Sequence, residues 1–382
     1  MLAVNEKTGV NVNLYSVNCK NAGTSVYANE LTLRLMGFDD LKIQGTVPWR
    51  EVLNPFYKSK YKRFRFPVRT ACIPERALGT GVIGKILGKI IPSYNFLVRD
   101  TKSEVFLFFS SAQAPLLPVR GKVAACIHDI TPFRVPWTFA PGFLDAHNGA
   151  FANILEKATK IITVSEFSRR DIIDYTHIDE SRIDVVHCAV NAEAFQQPFD
   201  REAVRRKYNL PEKYILYFGT CGPRKNVESV IRAYVRLPET IRREYVLVIT
   251  NPSDAVKACA AGNDITPHYI CSVSTEDKPA IYQMASVLVW PSLYEGFGLP
   301  IIEAQAAGTP VVCSNVTSLP EVAGNAAVLV APTDISAMTA GMERCLYDVP
   351  FRQALITKGF ENIKRFTWND AAKRLHDIIL SL

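Results

Sequence analysis

The chain has 382 residues, 48% of them apolar and 21% charged, with a formal net charge of +7. That length exceeds one ordinary hydrophobic core and suits two domains of about 150–200 residues each, with the composition of a globular protein. No run of 18 apolar residues occurs and no charged segment followed by an apolar one opens the chain, so neither a membrane span nor a signal peptide is expected.

The first half alternates two periodicities. Val10, Val12 and Leu14 form a strand pattern, Asn21 to Thr24 a turn and Ser25 to Met36 a helix, with further strands predicted at 105–109, 123–127, 160–164 and 184–186. Residues 56–102 carry eleven Lys/Arg against two acids, a local +9 that leaves the rest of the chain at −2. This stretch mixes Phe56, Tyr57, Tyr61, Phe64 and Phe66 with the apolar, basic run Gly84 to Ile91. It reads either as a solvated surface or as a docking surface for an anionic leaflet or polyanionic acceptor. Nucleic acid is not expected, because no binding motif accompanies the charge. The polar segment from Asn191 to Lys213, punctuated by Pro198 and Pro211, reads as a linker. A second series follows, with strands predicted at 214–218, 245–250, 269–272, 287–290, 309–313 and 327–330. Such alternation implies βαβ units and parallel sheets, hence an α/β protein of two Rossmann-like halves facing a cleft. The nine cysteines are odd in number, scattered and free of any Cys-x-x-Cys pair, so they read as reduced packing residues of a cytosolic protein.

Residues 290–310 are the most informative stretch. The apolar run Val287 to Trp290 stops at Pro291, a turn with Gly296 and Gly298 follows, and Pro300 opens an Ala-rich stretch ending at Gly308. That is strand, turn, helix, with Pro in the first helical turn and Gly past the end. Glu303 falls near the positive end of the helix dipole and Glu295 at the mouth of the turn. Carboxylates beside free helix N–H groups suit a polyol and an anion together. Tyr217 to Asn226 leaves another strand through a Gly/Pro turn, with Arg224 and Lys225 beside a helix start for which Asn226 is the expected N-cap. Side-chain cations and free amides at one place make a diphosphate site. His128 and Asp129 end an apolar strand, at the cleft edge of a parallel sheet, with Asp129 expected to orient its loop. Ser168-x-x-Asp171 is a helix start of the capping-box kind.

Glu295 and Glu303, around Gly296-Phe297-Gly298-Leu299-Pro300, together with Gly308-Thr309-Pro310-Val311-Val312 and Leu319 to Gly324, resemble glycosyltransferase family 4, the glycosyl transferases of group 1. The likeness covers about residues 10–30 and 120–375, and it departs from the family at Thr220, where many relatives carry a basic residue, and at Val186 to Asn191. The resemblance implies a GT-B fold divided as 1–191, a linker at 192–213, a nucleotide-sugar domain at 214–366 and a last helix, 367–382, crossing back onto the first domain. It implies a retaining transferase moving a hexose, best taken as mannose from GDP-mannose, with a UDP-hexose as the alternative. The acceptor would be a hydroxyl of a glycan or of a lipid-linked molecule, and base recognition would use backbone around Cys271 to Val273. The implied catalytic residues are His128, Glu295, Arg224 and Lys225. The implied donor-binding residues are Gly23, Thr24, Ser165, Arg224, Lys225, Glu295, Gly296, Phe297, Gly298, Leu299 and Glu303, with Arg169 as a further candidate. No Asp-x-Asp occurs, so the positive loop is expected to replace a metal. Such an enzyme would work in the cytoplasm, at the inner face of the membrane if the basic stretch docks there. A glycosidase, which also uses two carboxylates, and a non-catalytic nucleotide-binding protein are the rival readings.

Overall fold

The computed structural model describes residues 7–14, 16, 23–47, 61–70, 98–100, 102–110, 118–139 and 143–382. Its strands assemble into two wholly parallel sheets. The first contains β1 (Thr8–Asn13), β2 (Leu41–Val47), β3 (Val68–Thr70), β4 (Val105–Phe108), β5 (Lys122–Cys126), β6 (Lys160–Thr163) and β7 (Ile183–Val185), in the order β3-β2-β1-β4-β5-β6-β7. The second contains β8 (Tyr214–Tyr217), β9 (Val246–Thr250), β10 (His268–Ile270), β11 (Val287–Trp290), β12 (Val311–Ser314) and β13 (Val328–Val330), in the order β10-β9-β8-β11-β12-β13.

Parallel strands covered on both faces need apolar residues throughout, and β4, β8, β11 and β12 are buried at every position. Buried polar residues also sit in the strands, among them Asn11 and Asn13 of β1 and Ser314 of β12. In β1, Asn11 donates to Asp100 Oδ2 at 2.6 Å and accepts from Thr46 Oγ1 at 2.9 Å, so its burial leaves no orphan group.

Strand order reverses between β1 and β4 in the first sheet, and between β8 and β11 in the second. At such switch points the loops leave the carboxyl ends of neighbouring strands in opposite directions and open a crevice. The loops after β1, β8 and β11 are the three that carry the glycine and charged motifs.

The last helix, Trp368–Leu380, packs on helix Gly23–Leu35 of the first half. Its stripe of Ala371, Ala372, Leu375, Ile378 and Ile379 is buried, Thr367 caps its start, and His376 reaches Asp40 at 2.8 Å and stacks on Phe38 at 4.0 Å.

Four sequence expectations are corrected. The segment expected as a linker is folded: Phe195, Val204 and Leu210 join the core, and helix Arg201–Tyr208, capped by Asp200, is tied through Lys207 and Tyr208 to Asp277. Its helix was hidden because only Val204 of its eight residues is buried, so it shows no apolar stripe. Strands β2 and β3 lie in the stretch that had no assignment; β3 has three residues and β2 places Lys42 outward among its buried positions. In the basic stretch, Tyr61 and Phe64 are buried in the core and so are unavailable to an interface, while Arg63 donates to Asn29 Oδ1 at 2.6 Å. Phe56, Tyr57 and the run 84–91 lie outside the described residues. Finally, the helix after β6 starts at Glu166 with Ser165 as its cap, ahead of the expected Ser168 start, because Ser165 has the extended backbone from which its hydroxyl can accept from Ser168 N.

Candidate active site

The loops after β8 and β11 meet across the second switch point. Pro223–Lys225 forms one short 3-10 turn, and Leu293 N donates to Arg224 O at 2.9 Å, which staples the two loops together. Asn226 is not the side-chain cap expected of it. It has a left-handed backbone, with φ +56°, and its amide donates instead to Pro291 O at 3.0 Å and Pro332 O at 2.8 Å. The result aims both cations at one carboxylate: Lys225 Nζ lies 2.6 Å from Glu295 Oε1, and Arg224 NH1 lies 2.8 Å from Glu295 Oε2. Ser292 Oγ donates to Oε1 at 2.7 Å, and Lys225 Nζ also sits 4.6 Å from the centroid of Trp290, which stacks on Tyr217.

The electrostatics follow from that packing. Burial by itself would raise the Glu295 carboxyl, but Lys225 and Arg224 outweigh it and hold the group at about 2. Burial pushes the Lys225 ammonium down against the pull of Glu295, whereas for Arg224 the pull of Glu295 exceeds the burial penalty. Arg224 and Lys225 thus face the Glu295 carboxylate directly, with Asp129 as a second negative group acting on both, so an incoming anion would share the two cations with these carboxylates. A carboxylate held so low is a poor base and a poor nucleophile; its geometry suits orienting and charge balance.

The two glycines of the Glu295 turn serve different needs. A Cβ on Gly296 would fall 2.7 Å from Asp129 Oδ2 and 3.0 Å from His128 O, so a side chain there would push the halves apart. Gly298 has φ +108°, a backbone that L-residues avoid, and it delivers the chain into helix Leu299–Ala306. Phe297 is buried against Phe366 and His187, so only its backbone can serve a ligand.

The first half closes on this turn from the other side. His128 is half-buried just after β5, and its Nε2 lies 2.8 Å from Phe109 O. Because a carbonyl only accepts, Nε2 carries the proton and Nδ1 is left as the acceptor when the ring is neutral; burial pushes its pKa down and favours that neutral form. Asp129 Oδ1 accepts from Thr131 N at 2.9 Å and so orients the loop. Gly23 and Thr24 are exposed at the first turn of helix Gly23–Leu35, and Gly23 meets the Leu299 side chain. The starts of two helices, one from each half, therefore meet beside the turn that carries Glu295. Ser165 takes a different part from the donor-binding one expected. It is fully buried, with its hydroxyl donating to Gly296 O at 2.6 Å and accepting from Ser168 N, so it joins the halves and caps a helix. Arg169 turns away to Ile183 O and Glu180.

Glu303 sits in helix Leu299–Ala306, buried, with Lys278 Nζ on Oε1 and Tyr282 OH donating to Oε2 at 3.0 Å. Lys278 and Tyr282 were not singled out in the sequence. Their i, i+4 spacing on one helix, Lys278–Met284, was the available signal. Also unforeseen was Tyr294, whose hydroxyl donates to Asp171 Oδ2 at 2.5 Å across the halves, while Arg134 holds the same carboxylate at 2.7 Å. Among the described residues no group of three or more His, Cys, Asp or Glu side chains is placed to hold a metal, and no helix is long and apolar enough to cross a membrane.

Comparison with known proteins agrees with this layout. The family described as Glycosyl transferases group 1 matches residues 200–362. O-antigen chain mannosyltransferase B of Escherichia coli is 34% identical over 257 residues, covering 65% of this chain and 68% of that protein. Serotype-specific mannosyltransferase WbdA of Escherichia coli is 28% identical over 267 residues, 66% of this chain but 33% of that longer protein. Among solved structures, Anabaena Alr3699/HepE in complex with UDP and glucose superposes with a TM-score of 0.74 at 13% identity, over 98% of this chain and 100% of that one. At that identity the likeness speaks for the fold alone, which is GT-B.

Proposed function

The chain belongs to the glycosyl transferases of group 1, and on that premise we propose that it moves a hexose from a nucleotide-diphosphate sugar to a hydroxyl of a glycan or lipid-linked acceptor, with retention at the anomeric carbon. The observation that carries this reading is the convergence of Arg224 and Lys225 on Glu295 at the switch point of the second sheet. The two cations would hold the diphosphate and take up the charge that appears on it as the sugar departs, which makes a metal unnecessary. Gly23, Thr24 and the amides opening helix Leu299–Ala306 would complete the anion site, and Glu303 would accept hydrogen bonds from the ribose hydroxyls.

In this scheme the acceptor oxygen attacks the anomeric carbon from the face on which the diphosphate leaves. The bond from that carbon to the phosphate oxygen breaks, and the departing phosphate takes the acceptor's proton. His128 Nδ1 and Glu295 would border the sugar and orient it. A glycosidase reading fits less well, because it gives the Arg224 and Lys225 pair no task.

We take the donor as GDP-mannose because two relatives are named mannosyltransferases; a UDP-hexose is the alternative, since the HepE structure holds UDP and glucose. The same relatives favour an acceptor in polysaccharide synthesis. Residues 56–102 would then meet an anionic membrane through their basic side chains, without Tyr61 and Phe64, which are buried. A thermal-shift screen of GDP, UDP and ADP tests the donor site. Binding at 100 times the dissociation constant stabilises by ~2.7 kcal/mol, and no shift with any of the three would overturn the reading.

A further inference from the structure

Glu303 is a flexible side chain on a short helix, yet both of its oxygens are already engaged by the protein. Tyr282 OH donates to Oε2 at 3.0 Å, and Lys278 Nζ sits on Oε1. Neither partner is loose. The Tyr282 ring is fully buried, tilted against Phe218 at 4.8 Å and Phe195 at 5.8 Å, and its backbone carbonyl accepts from Thr309 Oγ1 at 2.6 Å. Lys278 Nζ lies 5.8 Å from the Phe195 centroid, so the same aromatic ring supports both groups. Phe218, in turn, directly follows β8, which leads into the Arg224 and Lys225 loop. The pair and the cations therefore share one frame.

We propose that Tyr282 and Lys278 are positioning residues of the donor site, holding the Glu303 carboxylate in one orientation for the vicinal hydroxyls of the donor's ribose. This rests on the reading of Glu303 given above. A carboxylate offers about four lone-pair positions, and two donors on different oxygens leave one on each, the arrangement that a cis-diol can bridge. Burial beside Glu303 pushes the Tyr282 phenol far above its ordinary range, so it remains a donor at every working pH. A Glu side chain freezes several rotatable bonds when it binds, and prior fixation removes that cost from the affinity. The aim of the carboxylate is thus set before the donor arrives.

The test uses Tyr282→Phe, which keeps the ring and its packing, and Lys278→Met as a second variant on the half-buried partner. Affinities are measured by calorimetry for GDP or UDP, whichever the wild type binds, and for the matching 2′,3′-dideoxynucleoside diphosphate. Wild type is expected to prefer the ribonucleotide, and each variant to lose about tenfold of affinity for the ribonucleotide while binding the dideoxy compound unchanged, in line with loss of a hydrogen bond to a charged group. If the wild type binds both compounds equally, the ribose role of Glu303 fails. If it discriminates and both variants discriminate as strongly, Glu303 keeps its role and the positioning role of Tyr282 and Lys278 is overturned. Equal loss toward both compounds also overturns it, because that is the mark of a general structural defect.

Discussion

Lys225 Nζ lies 2.6 Å from Glu295 Oε1, and the two residues come from the loops that leave β8 and β11 at the second switch point. With Arg224 on the other oxygen, the two cations share this one carboxylate directly, and Asp129 acts on both from the first half. Lys225→Ala and Arg224→Ala should each lower transfer by about 10²–10³-fold, the cost of removing one donor from a developing anion. Both variants should stay folded but melt below wild type, because each leaves the buried Glu295 carboxylate short of one cation, and EDTA should leave activity unchanged. Steady-state rates of purified variants, with and without chelator, check this; activity lost to EDTA and restored by a divalent ion would contradict it.

The same cluster predicts an acid response. The Glu295 carboxyl is held at about 2 against an ordinary value of 4.5, so its stabilising interaction is fully present above the ordinary value and is lost as pH falls from there toward 2. Glu295→Gln should flatten that part of the stability profile, although it removes a buried partner from two cations and so destabilises at neutral pH. Thermal melts of both proteins between pH 2 and 6 read out the difference.

The two glutamates should separate kinetically. Glu303→Ala is expected to weaken nucleotide binding, and Glu295→Ala to slow turnover with less effect on binding, because Glu303 would meet the ribose and Glu295 the reacting end. Calorimetry with unchanged nucleotide affinity for Glu303→Ala would reject the assignment.

Glu321 joins the halves at another point. Its oxygens accept the N–H groups of Glu166 and Phe167 at 2.9 Å each, and His187 Nε2 lies 3.3 Å away. Burial opposes ionisation of this carboxyl, yet His187 and the two amides win and lower its pKa, so the contact is present above the ordinary carboxyl range and weakens below it. Glu321→Ala leaves those amides without an acceptor and should cost about 1–3 kcal/mol. Chemical denaturation measures the loss, and unchanged stability would mean the contact contributes nothing.

If residues 56–102 meet membranes, vesicle co-sedimentation should show binding to anionic but not neutral lipid, weakened by salt through screening over ~8–10 Å. Replacing Lys58, Lys60, Lys62, Arg63 and Arg65 together with Ser should remove that preference. Equal binding by both proteins would sink the idea.

Local signals were readable in the sequence and distant partners were not. Strand β11 ends at Trp290 as its apolar run and Pro291 require, and Gly298 has the positive φ that a turn into a helix asks for. By contrast, Ser165 looked like a ligand contact because nothing local announces a carbonyl 131 residues away. Asn226 had the residue type of a cap, but its backbone is left-handed and its Oδ1 accepts from the Ser229 hydroxyl while Nδ2 is held by the carbonyls of Pro291 and Pro332. Lys278 and Tyr282 gave only a spacing, since the carboxylate that explains them lies on another helix. Helix Arg201–Tyr208 shows the same limit, because one buried valine makes no stripe.

The most direct test is release of nucleoside diphosphate from nucleotide sugars. The wild-type protein incubated with GDP-mannose, UDP-glucose and other donors should slowly hydrolyse one of them without acceptor, and Lys225→Ala should abolish that release. Hydrolysis of none of the donors, or equal release by Lys225→Ala, would contradict a transferase built on the Lys225, Arg224 and Glu295 cluster.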